Sequence, residues 1–228
     1  METRTDEARA AEVALGGSRW ARVATGARAL GRLARDPDDT RQVFVMGLAL
    51  NSERFPEFFA RFAATEGGAR LLRERPSIDS KSVDFAGLRA LPANTLGHAY
   101  AGYLDRNGLD PDLFQTPPGL PEIPAFVARR LRQVHDLWHT LTGYAPDVAG
   151  EVALQGFTYA QTGMPSALLI ASLGSLRWGL ATRGLVAKTL DAYERGKEAD
   201  FLPPVVWEDH WAEDLAEVRR RYRIRPVA

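Results

Sequence analysis

The chain has 228 residues, of which 45% are hydrophobic and 25% charged, enough to bury one sizeable core, and a single helical domain over 1–228 is the expectation. Its 29 basic and 29 acidic residues cancel, which leaves no global field to draw it to nucleic acid, and no nucleic-acid partner is expected. Cysteine is absent, so disulfides, thiolate nucleophiles and cysteine metal sites are excluded, and any metal must sit on His, Asp and Glu.

The first 17 residues, METRTDEARAAEVALGG, carry acids at Glu2, Asp6, Glu7 and Glu12. They lack both the apolar core of a signal peptide and the acid-poor makeup of a transit peptide. We read them as a frayed or helical start, and the protein as cytoplasmic, or peripheral on the inner face of the cytoplasmic membrane. Beyond them the periodicity is helical almost throughout, with proline, glycine and capping residues as punctuation and no hairpin dipeptides between alternating strands. The fold class predicted is all-α, a single-domain multi-helix bundle. Helices are predicted over 18–35, 39–51, 53–64, 66–75, 94–106, 122–142, 148–162, 165–194 with a break, and 207–221. Gly108 closes the 94–106 helix after Asn107, and QTPPGLPEIP at 115–124 is the most proline-rich connector. The most apolar stretch, 164–176, is too short for the roughly 20 residues of a membrane-spanning helix.

The residues richest in chemistry are HDLWHTLTGYAPDVAGE, 135–151, which hold two of the four histidines. Val134, Leu137, Trp138 and Leu141 form the apolar stripe of the helix running into Gly143, and His135 and His139 share a flank beside it, with Arg132 near them and Asp136 further round. Two imidazoles at i and i+4 converge on one ion. Asp147 reads as an N-cap after the Tyr144-Ala145-Pro146 turn, which folds Glu151 back within reach. The predicted metal site therefore lies between two consecutive helices. On spacing alone, a metal site and an ordinary polar helix face are evenly weighted. HDLWH also resembles the zincin pattern with aspartate for the glutamate base, but that carboxylate is one methylene short, and a protease ranks low. His98 is expected to be structural, His210 to lie on an exposed face, and Arg219 to Arg223 to pair with acids upstream.

His135, Asp136, His139 and Glu151 match H-D-x-x-H followed by eleven residues and a glutamate, and here the chain resembles the ubiquinone (coenzyme Q) biosynthesis protein 4 family. The resemblance takes in Arg130-Leu131-Arg132, LPANTLGHAYAGYLDRNGLDPD at 91–112, Gln161 to Pro165, and WEDHWAEDLAEVRRRYRI at 207–224. It implies an all-helical protein with a divalent metal, zinc being the usual ion, on those four residues, which would also be catalytic. The activity implied is replacement of the C1 carboxylate of a polyprenylated hydroxybenzoate by a hydroxyl. The other role implied is a non-catalytic prenyl-lipid-binding scaffold with a structural metal. Arg132 is the expected substrate-binding residue, held to the anionic head group by a charge-assisted fork. The expected partners are the prenylated quinone precursor, other quinone biosynthesis proteins, a peripheral membrane contact through 164–186, and a second copy in a homo-oligomer.

Overall fold

The apolar stripe of the 122–142 segment sets the centre of the molecule. The structure, a computed structural model, describes residues 2–36, 39, 41–113 and 118–227, with side chains at 2–5, 34 and 41 not described. Twelve α-helices occupy the described residues: α1 Glu2–Gly16, α2 Arg19–Arg35, α3 Arg41–Asn51, α4 Phe55–Ala63, α5 Glu66–Glu74, α6 Phe85–Ala90, α7 Leu96–Asn107, α8 Glu122–Thr142, α9 Val148–Thr162, α10 Pro165–Trp178, α11 Leu185–Glu198 and α12 Leu215–Arg221. A 3-10 turn spans Trp207–His210, and no strand occurs among the described residues. The all-α expectation holds. Residue 40 of the predicted 39–51 helix, and 115–117 of the proline-rich connector, lie outside the described residues.

Of the two readings of the N-terminus the helical one holds, since Glu2–Gly16 forms α1 with Ala10 and Ala11 buried. The expected break in 165–194 falls after Trp178, and helix resumes at Leu185 behind Gly184 at φ 79, a left-handed turn that favours glycine. One expectation is corrected. The 207–221 segment is two pieces, because Asp214 caps a fresh helix by accepting from Glu217 N. The short helix α6 was missed; its signal was Asp84, which accepts from Gly87 N.

In α8, Val134, Leu137, Trp138 and Leu141 pack with Tyr100 and Leu104 of α7, Leu154 and Phe157 of α9, Ala192 of α11, and Trp207. The front of α8, through Phe126 and Val127, closes a second cluster with Phe58, Phe62 and Leu71. The small residues of α9 and α11 permit near backbone contact, since a Cβ on Gly156 would stand 2.6 Å from the Thr189 carbonyl oxygen. Close packing likewise explains Gly97, where a Cβ would stand 2.9 Å from the Trp211 carbonyl oxygen.

The sequence blocks that carry the resemblance are tied together by polar groups. Buried Gln161 donates to the carbonyls of Gly196 and Asp200 and accepts from Leu202 N, satisfying three backbone groups of the segment after α11. Leu96 N and Gly97 N donate to the carbonyls of Glu213 and Trp211, anchoring α7 to the start of α12. Arg130 is fully buried and forms a bidentate pair with Glu208, at 2.6 and 2.7 Å, fastening α8 to the 3-10 turn. Removing one partner strands the other charge, so Arg130→Met is expected to cost about 3 to 5 kcal/mol in urea unfolding, with the Arg130→Met/Glu208→Leu double variant losing less.

Candidate metal centre

The turn between α8 and α9 brings the ligands together. Gly143 ends α8 at φ 80, and Asp147 caps α9 by accepting from Gly150 N at 2.7 Å. A Cβ on Gly150 would collide with the Ala145 carbonyl, so glycine lets α9 start close under the turn. Glu151, in the first turn of α9, then faces His135 and His139. Its Oε2 lies 3.2 Å from His135 Nε2 and its Oε1 3.1 Å from His139 Nε2. The two imidazole Nε2 atoms are 3.3 Å apart, with the rings edge to face.

His139 does not lie on a solvated face, while the His135 side chain is 25% exposed. His139 is 1% exposed, and its ring stacks on Tyr103 at 5.7 Å between centroids. Its Nδ1 is 2.9 Å from the Tyr144 carbonyl oxygen. A carbonyl only accepts, so Nδ1 carries a proton, and Nε2 is the ring atom turned to Glu151. His139 Nε2, the Glu151 carboxylate and His135 Nε2 converge on one point that could hold a cation. One ligand atom from each of His135, His139 and Glu151 lies within 4.8 Å of the others, and the donor set, two imidazoles and a carboxylate, suits a borderline divalent ion.

Electrostatics agree with this geometry. Burial pushes the His135 imidazole down, but the hydrogen-bonded Glu151 carboxylate and the Asp136 charge outweigh it, and the net shift is upward. Burial pushes Glu151 up, and its two histidine partners outweigh that and hold it far below the usual carboxylate range. Asp136 is not part of the three-residue group; burial raises its pKa against the pull of both histidines. Burial, then Asp136 and Glu151, raises the Tyr103 phenol, whose buried hydroxyl has no hydrogen-bond partner among the described residues. Arg132 sits one turn before His135 and Asp136 on α8, its guanidinium 3.8 Å from the Phe44 ring centroid. Tyr103 and the Tyr144 carbonyl were missed, because neither carries a spacing signal.

A family model described as coenzyme Q (ubiquinone) biosynthesis protein Coq4 matches residues 18–228. The chain belongs to the Coq4 family. Among its relatives is the zebrafish (Danio rerio) "Ubiquinone biosynthesis protein COQ4 homolog, mitochondrial", 33% identical over 193 residues, 83% of this chain and 71% of the relative. The Pyrenophora tritici-repentis "Ubiquinone biosynthesis protein coq4, mitochondrial" is 37% identical over 159 residues, and the match spans 69% of this chain but only 55% of that protein. The Coq4 fold is shared with a crystal structure from Nostoc punctiforme PCC 73102, at a TM-score of 0.71 and 23% identity, covering 88% of this chain and 97% of that one.

The names of the relatives overturn the cytoplasmic expectation and point to the mitochondrion instead. Composition of the first 17 residues bears only on a leader and carries no address for the helical body. No helix among the described residues is long and apolar enough to cross a membrane.

The other histidines behave as ordinary side chains. His98 Nδ1 bonds the carbonyls of Arg89 and Leu91, at 3.1 and 3.0 Å, as a structural histidine. His210 is not on an exposed face: it bonds Glu213 and the Tyr222 hydroxyl and packs against Trp207. The basic run is paired as expected at Arg220 with Glu217 and Arg221 with Glu213, while Arg219 donates to the carbonyls of Thr140 and Leu141 at the end of α8.

Elemental analysis of protein loaded with zinc and desalted is expected to show stoichiometric metal in the parent and none in His139→Ala of unchanged helical circular dichroism. A parent that holds no divalent ion removes the site. A metal must displace the proton that the raised His135 pKa favours, so zinc affinity by competition titration is expected to climb as pH rises through that pKa and to fall below it.

Proposed function

We propose that this chain acts on the head group of a polyprenylated hydroxybenzoate in ubiquinone biosynthesis, replacing the C1 carboxylate by a hydroxyl at a divalent metal, zinc or a redox ion in its place. The observation that carries the reading is the convergence of His135, His139 and Glu151 on one point. The site is open on one side, with the Glu151 side chain 43% exposed, as an added ligand requires and a closed structural site does not.

A bound divalent cation supplies Lewis acidity, which stabilises negative charge on the substrate's oxygens as carbon dioxide leaves. The protein's own groups do the rest. The Tyr144 carbonyl holds the His139 ring in the tautomer that keeps Nε2 free. Arg132 orients the carboxylate of the head group, and its stacking on Phe44 fixes the plane of the guanidinium. Asp136, whose pKa burial raises, would hold or return a proton for the head group. Exchange of carboxylate for hydroxyl is a two-electron oxidation, which zinc alone does not perform, so dioxygen would be the terminal oxidant, the acid, dioxygen and water giving the phenol, carbon dioxide and hydrogen peroxide.

The tail of such a substrate must be collected from lipid. Leu176, Leu180, Val186 and Leu190 are exposed around the break between α10 and α11, with Arg177, Arg183 and Lys188 among them. This patch fits a membrane surface, its cations meeting head groups and its leucines the acyl boundary, where other proteins of the pathway would work beside it.

Carbon dioxide release and hydroxylated product, followed by mass spectrometry on a prenylated hydroxybenzoate in vesicles under air, test the reading. The parent is expected to turn over with zinc or ferrous iron, and Glu151→Gln to lose about 100-fold or more. A parent that binds metal and lipid but releases no carbon dioxide would favour the non-catalytic scaffold.

A further inference from the structure

Arg132 is nearly buried, its side chain 9% exposed, and among the described residues a single carboxylate pairs with it: Glu7, from α1. The contact is loose. Glu7 Oε2 stands 3.7 Å from Arg132 Nη1, whereas a charge-assisted guanidinium–carboxylate bond closes to about 2.7 to 2.9 Å. Burial costs the Arg132 charge, so the guanidinium favours any carboxylate that reaches it on better terms. Phe44 presses on its face and leaves the edge, where the N–H groups point, to the ligand.

The helix that brings Glu7 is lightly held. Among its described side chains the fully buried ones are alanines, Ala10 and Ala11, which contribute little apolar area, and Leu15 is 58% exposed. The pair Asp6–Arg32, at 2.7 Å, is roughly half exposed on both sides and adds little. Helices with few buried contacts open at small cost.

We infer that Glu7 occupies the seat of the substrate's own carboxylate on Arg132, and that α1 is a lid which an incoming carboxylate displaces. The inference rests on the head-group reading above and adds Glu7 to it. It makes the site selective: a ring with a carboxylate competes for Arg132 and lifts α1, while a ring without one leaves Glu7 in place. A product that has lost its carboxylate no longer holds Arg132, so α1 returns as it leaves.

Hydrogen exchange by mass spectrometry over residues 2–16 of the full-length protein, combined with calorimetric titration of 4-hydroxybenzoate and of phenol, tests this in the parent and in Glu7→Gln. The variant is expected to exchange α1 about five- to tenfold faster and to bind 4-hydroxybenzoate about tenfold more tightly, because a larger fraction is already open, with phenol unaffected. In the parent, saturating 4-hydroxybenzoate is expected to raise exchange over 2–16, and in Arg132→Leu to leave it unchanged. Equal α1 exchange in parent and Glu7→Gln, or equal 4-hydroxybenzoate affinity, overturns the lid. Failure of 4-hydroxybenzoate to bind either protein overturns the carboxylate seat. The carbon dioxide assay reads the head-group chemistry separately, so turnover alongside an inert Glu7→Gln variant would refute the lid alone.

Discussion

The reversal of the chain between α8 and α9 is the constraint on which the rest depends. Within Gly143 to Glu151 the backbone must turn left-handed, offer the Tyr144 carbonyl to His139, cap the next helix with Asp147 and start that helix hard against Ala145. Each requirement is local, and each has a residue suited to it. Together they set Glu151 at hydrogen-bond distance from both imidazoles. The surrounding bundle serves to keep α8 from rotating, since a turn of α8 about its axis would carry His135 and His139 away from Glu151.

That restraint is largely polar, although the core is apolar. The Arg130–Glu208 pair fixes the middle of α8, and Arg219 fixes its end by covering the carbonyls of Thr140 and Leu141 that no further helical turn satisfies. Both partners come from the last quarter of the chain. The C-terminal segment also supplies Val227 N to the Thr142 carbonyl. Hydrophobic contacts would hold α8 down, but directional bonds hold it in register.

The parts of this arrangement that were legible in the sequence are those governed by neighbours in the chain. The 3.6-residue stripe of α8, the Asp147 cap and the i, i+4 histidines need only local geometry, and all three stand as read. Burial of His139 was not legible, because its depth is set by Tyr103 from a distant helix. The same holds for His210, partly covered by Trp207 and Tyr222, whose sequence surroundings of acids suggested solvent. Arg132 illustrates both sides: its place on the ligand face followed from periodicity, but its pairing with Glu7 crosses more than half the chain. The break inside 207–221 was misjudged for a related reason, since Asp214 acts as a start only once the preceding turn has been stopped by packing.

The ligands of the metal centre are separated by only sixteen residues, and this bears on the order in which the molecule assembles. Loop closure over so short a span costs little entropy, whereas the contacts that lock α8 reach across about eighty residues to the C-terminal segment. An αα-hairpin holding its ligand set is therefore the cheapest long-lived piece of this topology to form. During synthesis it emerges before Glu208 and Arg219 exist to clamp it, so His135, His139 and Glu151 can come together before the C-terminal segment fixes α8 in register.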